Sequence, residues 1–315
     1  MSHLYIDRSG AALALIGKSL EIRAGNQSPV RLPLAHVEAI VIRGQATFDS
    51  GFLAQCWSRQ ISVQLLSGRR NEPTARFDGA NHKDARLRLK QSALHLDTLE
   101  RRRIAALVVR SKLLAQRRTL RLVTAPRNDA RMLSLKALDA MGRARGRLSG
   151  TPPSLETLRG VEGAASAAYF RAFSKLFPPS LEFTNRRRRP PPDPVNAVLS
   201  LTYTLATAEA ARALAICGFD PAIGFLHDLG HGRPALALDL VEPLRPKVDL
   251  IVLKFFRERV LTAQHFKKEP DGSVLIGKAA RSRIYENWEE CRPSIFRQAA
   301  NYARSAARQI RNVDG

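Results

Sequence analysis

The periodicity of the sequence changes once, near Asp78, and this change constrains the fold more than any other feature. Before that residue, short apolar runs such as 11–16, 39–42 and 61–66 are separated by glycine and proline turns, as in a β domain. From residue 84 onward the apolar residues recur at helical spacing. The sequence therefore predicts an α+β protein, with a small N-terminal β domain at residues 1–78, a linker at 79–84 and a helical domain at 85–315.

Two helices can be placed from their capping residues. Within the β domain, residues 50–59 predict a short helix with Ser50 as N-cap and with Leu53, Cys56 and Trp57 on one face. In the helical domain, Asp193 followed by proline predicts a helix start, and the helix is expected to run to residue 217 with glycine at 218 as its C-cap.

Positive charge dominates the helical domain. The chain has 51 Lys and Arg against 28 Asp and Glu, and residues 79–150 alone hold eighteen basic and five acidic side chains. A solvated helix face is the simpler explanation for any single basic run, but an excess of this size favours contact with a phosphate backbone. Nucleic acid is therefore the first partner to expect.

Several protein classes are excluded by composition. No apolar run approaches the roughly 18 residues of a membrane span, and none resembles a signal peptide. The three cysteines, Cys56, Cys217 and Cys291, are widely separated and form no CxxC pair, which argues against a disulfide framework or a cysteine-based zinc site. We expect a soluble, cytoplasmic protein without membrane contact and with buried, reduced cysteines.

Phosphodiester chemistry commonly uses a hard cation held by carboxylates and imidazole, so segments rich in these groups are candidate sites. Glu162 is the first candidate, because it is followed by small residues that allow neighbouring helices to approach closely. The alternative is that Glu162 lies near a helix start and only stabilises the helix dipole.

His227 is the second candidate, because it follows an apolar stretch and precedes a glycine-rich turn. His227 and His231 have the spacing of a helical zinc pair, but Gly230, Gly232 and Pro234 make a continuous helix through them unfavourable. A histidine satisfied within the core is the alternative interpretation.

Asp239 and Glu242 form the third candidate, three residues apart in a strongly apolar segment. Buried carboxylates need a charged partner or a metal, so pairing with Arg233 or Arg245 competes with metal binding. Pro243 directly follows Glu242 and predicts that Glu242 leaves the helical conformation, so that the helix ends there.

A run of four arginines precedes three prolines and cannot lie inside a helix. The run can bind DNA phosphates or form a disordered loop, and phosphate contact is the preferred interpretation. The run consists of Arg186, Arg187, Arg188 and Arg189.

Taken together, four motifs resemble one family, the CRISPR-associated endonuclease and integrase Cas1. They are GVEGAASAAYF at 160–170, PPDPVN at 191–196, GFLH at 224–227 and GRPALALDLVEPLRP at 232–246. LPL at 32–34, before VEAIV at 37–41, is also similar, so the resemblance covers nearly the whole chain. Lys112 and Gln116 resemble a family pattern Lys-x-x-Asn-Gln, but Ala115 replaces the asparagine and no catalytic role is assigned to them.

The resemblance implies a catalytic site in which Glu162, His227 and Glu242 bind Mg²⁺ or Mn²⁺. Asp239 is then either a supporting group or the alternative third ligand. Arg233 and Arg245, with the arginine run, are the expected DNA-binding residues. The implied activity is insertion of short DNA fragments into a CRISPR array by 3′-hydroxyl transesterification.

The implied partners are double-stranded and branched DNA, a second copy of the chain joined through the β domain, and the small protein Cas2. Three rivals stay open from sequence: a transposon-encoded, casposase-like integrase, a catalytically inactive DNA-binding scaffold, and an RNA-processing nuclease of unrelated fold.

Overall fold

A computed structural model describes residues 2–25, 27–68, 71, 73–77, 85–124, 128–187 and 190–311. Strands occupy its N-terminal part and helices most of the remainder, so the predicted α+β class is confirmed. Residues 78–84, where the domain boundary and linker are predicted, lie outside the described residues, and the boundary stays a prediction. No helix within these ranges is long and apolar enough to cross a membrane.

The described residues of the N-terminal part form two four-stranded sheets and one α-helix. The elements are β1 (Ser2–Ile6), β2 (Ala11–Ile16), β3 (Ser19–Arg23), β4 (Val30–Pro33), β5 (Val37–Arg43), β6 (Ala46–Phe48), α1 (Ser50–Ser58), β7 (Ser62–Leu66) and β8 (Pro73–Phe77). The first sheet has the order β1-β5-β7-β8, with β1, β5 and β7 parallel, and the second has the order β4-β3-β2-β6. β6 and β8 are short strands that the sequence analysis did not predict.

The central strand β5 explains why this part folds around its own core. Its apolar run from Ala39 to Ile42 is buried continuously, as expected for a strand paired on both sides in a parallel arrangement. Ile40 and Ile42 are fully buried and belong to the same cluster as Phe52 and Cys56 of α1.

The predicted details of α1 are partly wrong. The N-cap is Asp49, whose Oδ1 accepts the backbone N–H of Phe52 at 2.7 Å, so Ser50 is the first helical residue. Phe52 and Cys56 form the buried face, whereas Trp57 is exposed. The reason is geometric: the buried stripe follows the i, i+4 spacing of the residues that face the sheet, and Trp57 lies on the adjacent side.

The helical part is built around one almost completely buried helix, α6. Asp193 caps its start by accepting the N–H of Asn196 at 2.8 Å, and Gly218 ends it at a positive φ of 97°, so both predicted caps are confirmed. The helices are α2 (Arg86–Leu96), α3 (Thr98–Thr124), α4 (Asn128–Gly146), α5 (Leu155–Phe173), α6 (Pro194–Cys217), α7 (Ala235–Val241), α8 (Arg245–Arg257) and α9 (Lys278–Arg311). A short hairpin, β9 (Phe266–Lys268) and β10 (Val274–Ile276), precedes α9.

The three cysteines are free thiols, as predicted, but only Cys56 is fully buried. Cys217 and Cys291 are half-buried.

Strands β1 and β5 contact α6 and α9 through a group of partly buried charges. Tyr5 stacks on Tyr285 with ring centres 4.4 Å apart and donates its hydroxyl hydrogen to Glu289 at 2.7 Å. Arg292 of α9 bonds Glu38 of β5 at 3.1 Å. These contacts attach the sheet directly to α9.

Glu209 of α6 makes this junction sensitive to pH. It is 2% exposed, lies 3.4 Å from His3 Nε2, and burial raises its pKa from 4.5 to about 7. Between these values the folded state holds more protons than the unfolded state, so the free energy of unfolding falls as pH rises from 4.5 to 7. Relative to Glu209→Gln, we expect the Tm of the unmodified chain to fall by roughly 3–6 °C between pH 5 and pH 7.5.

Thermal unfolding of the two proteins across this pH range measures the effect. Glu286→Gln, which removes an exposed carboxyl from α9, is the matched control, and its Tm should vary with pH as the Tm of the unmodified chain does. Parallel curves for Glu209→Gln as well would contradict the assigned pKa.

Candidate metal centre

Glu162 lies on α5, which the Ser154 side chain caps by accepting the N–H of Thr157 at 3.2 Å. Glu162 is two turns inside this helix, so the helix-dipole alternative does not apply to it. Its Oε1 accepts a hydrogen bond from Ser166 Oγ at 2.9 Å, one turn further along. Its side chain is 24% exposed and faces an open cavity.

His227 lies in the irregular segment between α6 and α7, where the predicted break in helical structure is confirmed. Its Nδ1 lies 2.7 Å from Asp239 Oδ1. Because a carboxylate can only accept, Nδ1 carries a hydrogen, and in the neutral imidazole the lone pair is then on Nε2. Nε2 is 3.8 Å from Glu242 Oε1, so it is directed at the other candidate ligand.

Asp239 of α7 is 1% exposed, and both of its oxygens are occupied. Oδ2 accepts the N–H groups of Phe225 and Leu226 at 2.6 and 3.1 Å, and Oδ1 accepts the N–H of His227 at 3.0 Å as well as the imidazole hydrogen. A carboxylate bonded in this way fixes the segment that presents His227. Its placement favours the supporting role over direct metal ligation.

Glu242 opens a 3₁₀ turn between α7 and α8, with φ −53° and ψ −49°. The prediction that Pro243 moves Glu242 out of the helical conformation is therefore wrong, although α7 does end at Val241. Pro243 occupies the second position of the new turn, where a backbone N–H would have no partner within the turn, and the surrounding packing keeps Glu242 helical.

The Glu242 carboxylate is 2% exposed, and Arg245 Nε donates to it at 2.9 Å. Burial alone would raise the pKa of Glu242, but the charges of Arg245 and Lys112 outweigh burial and hold this pKa well below its usual value. Glu242 is consequently an anion at neutral pH, as a ligand for a hard cation must be.

Lys112 is the site residue to which sequence reasoning assigned no role. It lies on α3, is 4% exposed, and its Nζ contacts Glu162 and lies 2.5 Å from Glu242 Oε2. The available signal was the four-residue spacing from Lys112 to Gln116, which places both on one face of α3. Gln116 is also at the site, because it donates to Ser166 Oγ at 3.3 Å.

Glu162, His227 and Glu242 line one open cavity of about 400 Å³. As placed, no group of three His, Cys, Asp or Glu side chains within the described ranges is arranged to hold a metal ion, and the cation in contact with both glutamates is the Lys112 ammonium. The donor set is nevertheless suited to a divalent cation: two anionic carboxylates reach one common positive charge, and an imidazole lone pair faces the same space.

The arginines predicted to bind DNA are placed in different environments. Arg233 is exposed at the rim of the cavity. Arg245 is buried, bonds Glu242 and lies 4.4 Å from the centre of the Tyr203 ring, so its charge acts inside the site rather than on the surface. Arg187 is exposed, whereas Arg188 and Arg189 lie outside the described residues.

Arg186 is half-buried and bonds the N-terminal part of α6. Its guanidinium donates to Asn196 Oδ1 at 2.8 Å and to Ser200 Oγ at 3.0 Å. These contacts tie Arg186 to the capped end of α6.

A second buried acid lies behind the site. Asp249 of α8 accepts hydrogen bonds from Tyr169 Oη at 2.9 Å and from the hydroxyl of Tyr203. Burial raises the pKa of Asp249 to about 6 against the opposing effect of these bonds. The network joins α5, which carries Glu162, and α8, which carries Arg245, to α6.

Comparison with known proteins identifies relatives over almost the whole chain. The model of the family described as CRISPR associated protein Cas1 matches residues 4–290. The CRISPR-associated endonuclease Cas1 1 of Thermodesulfovibrio yellowstonii is 35% identical over 301 residues, which is 94% of each chain. The CRISPR-associated endonuclease Cas1 3 of Thermus thermophilus is 32% identical and covers 91% of this chain and 83% of its own.

Solved structures show the same fold. A Cas1 protein from Thermotoga maritima superposes with a TM-score of 0.87 at 20% identity, covering 99% of this chain and 97% of its own. A casposase bound to its integration product superposes with a TM-score of 0.83, also at 20% identity, covering 98% of this chain and 91% of its own. At these identities the likeness concerns the architecture alone.

Proposed function

The chain belongs to the Cas1 family of CRISPR-associated endonucleases, and from that premise we propose that it is a divalent-metal-dependent DNA integrase of CRISPR adaptation. Its reaction joins the 3′-hydroxyl of a short DNA fragment to a strand of the CRISPR array. A new phosphorus–oxygen bond forms while the bond to the leaving strand breaks, and that strand departs with its oxygen. With water as the nucleophile, the same site acts as a nuclease.

One observation carries this proposal: the convergence of Glu162, His227 and Glu242 on one cavity, in a chain with a formal net charge of +23. The residues come from α5, an irregular segment and a 3₁₀ turn, and a carboxylate–imidazole–carboxylate set at one cavity is the donor chemistry of phosphodiester enzymes. The positive charge supplies long-range attraction for a DNA backbone.

In this proposal Glu162, His227 Nε2 and Glu242 hold Mg²⁺ or Mn²⁺. When bound, the cation supplies positive charge beside the scissile phosphate, where negative charge accumulates in the transition state. Asp239 keeps the His227 imidazole in the Nδ1–H form, and Arg245 holds the Glu242 carboxylate in place. Arg233, at the rim, is placed to contact a phosphate of the incoming strand.

The partners follow from the same premise. Structures of related fold include a Cas6-RT-Cas1–Cas2 complex and the casposase with its integration product. We propose double-stranded and branched DNA as substrate, Cas2 as the assembly partner, a homodimer formed through the β domain, and the prokaryotic cytoplasm as the location.

The rivals have weaker support. The casposase resembles this chain at 20% identity, whereas the curated Cas1 endonucleases reach 32–35% over at least 91% of the chain. The fold argues against an unrelated RNA nuclease, and the intact set of Glu162, His227 and Glu242 argues against an inactive scaffold.

The test incubates the purified chain with a short duplex bearing free 3′-hydroxyls and a supercoiled plasmid, with and without Cas2. Mn²⁺ is compared with chelator in each arm. We expect metal-dependent joining of labelled duplex to plasmid, and the ratio of joined to nicked plasmid separates integration from hydrolysis. DNA binding without any metal-dependent chemistry, even with Cas2, would leave only a DNA-binding scaffold.

A further inference from the structure

We propose that Lys112 is a built-in counter-cation of the site: it holds Glu162 and Glu242 together without metal, moves away from them when the metal binds, and makes the metal-loaded site more positive. The first two parts rest on contacts within the chain. The third, which concerns the phosphodiester, rests on the proposed function.

The position of the ammonium supports the first part. Lys112 Nζ contacts Glu162 and lies 2.5 Å from Glu242 Oε2, and the side chain is 6% exposed. Without opposite charges, burying an ammonium group is strongly unfavourable, and so is burying two carboxylates beside each other. The ammonium group and the two carboxylates therefore offset one another's burial cost. Lys112 occupies the space that a metal shared by these glutamates would need.

The formal charges of the side chains around Lys112 show how it affects the charge of the site. Glu162, Asp239 and Glu242 contribute three negative charges, Lys112 and Arg245 contribute two positive charges, and the imidazole bonded to Asp239 is neutral as a ligand. These five side chains thus have a net charge of −1, which a divalent cation changes to +1; Arg159, Asp228 and Arg233, which line the same cavity, add a further +1 with or without the cation. If Lys112 were uncharged, the corresponding values would be −2 and 0.

Lys112 therefore weakens metal binding and strengthens the attraction of the loaded site for a phosphodiester anion. The loss in metal affinity is accompanied by a gain in affinity for the phosphodiester on which the metal acts.

A neighbouring cavity offers room for the displaced ammonium. It has a volume of about 310 Å³ and is lined by Lys112, Gln116, Ser166 and Tyr203, among others. The lysine side chain is flexible enough to turn into it, whereas α3 itself is packed against the turn that carries Glu242. Ser166 Oγ keeps its bond to Glu162 at 2.9 Å and can retain that carboxylate after the lysine moves.

The experiment measures Mn²⁺ binding to the full chain by calorimetry, without DNA. We expect Lys112→Met to bind Mn²⁺ about tenfold more tightly than the unmodified chain, and Lys112→Arg to remain within about threefold of it. Arg118→Met removes an exposed charge from the same helix and should leave Mn²⁺ affinity unchanged. Affinity for a short duplex, measured with Ca²⁺ in place of Mn²⁺, is expected to fall about tenfold in Lys112→Met.

A folded Lys112→Met chain with unchanged or weaker Mn²⁺ affinity would overturn the proposal, and so would a gain matched by Arg118→Met. Circular dichroism and thermal unfolding verify folding; if the methionine variant does not fold, Lys112→Gln keeps a hydrogen-bond donor without the charge and replaces it. The Mn²⁺ measurement needs no catalysis. Failure of the unmodified chain to join DNA would therefore refute the proposed function and leave the counter-cation role of Lys112 to its own test.

Discussion

Glu162→Gln is expected to abolish DNA joining and nicking, lowering the rate by at least about 10³-fold, which corresponds to roughly 4 kcal/mol of transition-state stabilisation. The substitution keeps the size of the side chain and its hydrogen bond with Ser166, but it removes one of two anionic ligands from the cavity. Because the side chain is 24% exposed, folding should be little affected, and the Tm is expected to change by less than about 3 °C.

Glu156→Gln is the matched control, because Glu156 is exposed in the first turn of the same helix. Plasmid joining with a labelled duplex, Mn²⁺ and Cas2 is the measurement, alongside Mn²⁺ affinity. Residual activity in Glu162→Gln within tenfold of the control would show that Glu162 is not a metal ligand. An equal loss of joining activity in Glu162→Gln and Glu156→Gln would indicate a general structural defect of α5.

Asp239→Asn is expected to cost stability and metal affinity together. The carboxylate accepts three backbone N–H groups and the His227 imidazole hydrogen, whereas an asparagine amide has one accepting oxygen and an NH₂ group that would face donors. We expect a loss of about 2–3 kcal/mol in the free energy of unfolding and about 10²-fold in Mn²⁺ affinity, because His227 loses its fixed orientation.

Asp228→Asn is the control for this variant, since Asp228 neighbours His227 but is 59% exposed and accepts from Arg159 at 2.5 Å. Chemical denaturation and Mn²⁺ calorimetry on both variants give the two quantities. If Asp239→Asn binds Mn²⁺ as well as the control while His227→Ala does not, Asp239 does not position the imidazole. Full loss of Mn²⁺ binding without loss of stability would favour direct ligation by Asp239.

The fold could be predicted where local chemistry determines it. The order of a strand-rich part followed by a helical part and the caps of α6 at Asp193 and Gly218 were predicted correctly. The errors also have local causes. Asp49 and Ser50 are both good caps, and only the course of the chain selects Asp49. Strand β6 has only three residues, and β8 begins with proline and is mostly exposed, so neither shows an apolar run or a clear alternation.

The sequence predicted which residues meet at the candidate site, but not how these residues contact one another. Glu162, His227 and Glu242 were recognised through motifs, and the structure places all three at one cavity. The spacing of Asp239 and Glu242 did not distinguish a supporting carboxylate from a ligand, because this depends on which backbone N–H groups face Asp239. The conformation of Glu242 was wrong, because packing outweighs the modest bias from Pro243.

The sequence by itself determined the α+β class, the excess of positive charge and the residues able to bind a hard cation, since these depend on composition and on patterns a few residues long. Only the tertiary structure decided that Lys112, 50 residues before Glu162 and 130 before Glu242, lies between the two carboxylates. It also decided that Arg245 points inward to Glu242 rather than outward to DNA. The position of Lys112 depends on how α3, α5 and the turn at Glu242 pack together, and packing of distant segments leaves no periodic signal in the sequence. The three-residue spacing of Glu242 and Arg245 allows their pairing, but only the burial of this turn decides between pairing and contact with DNA.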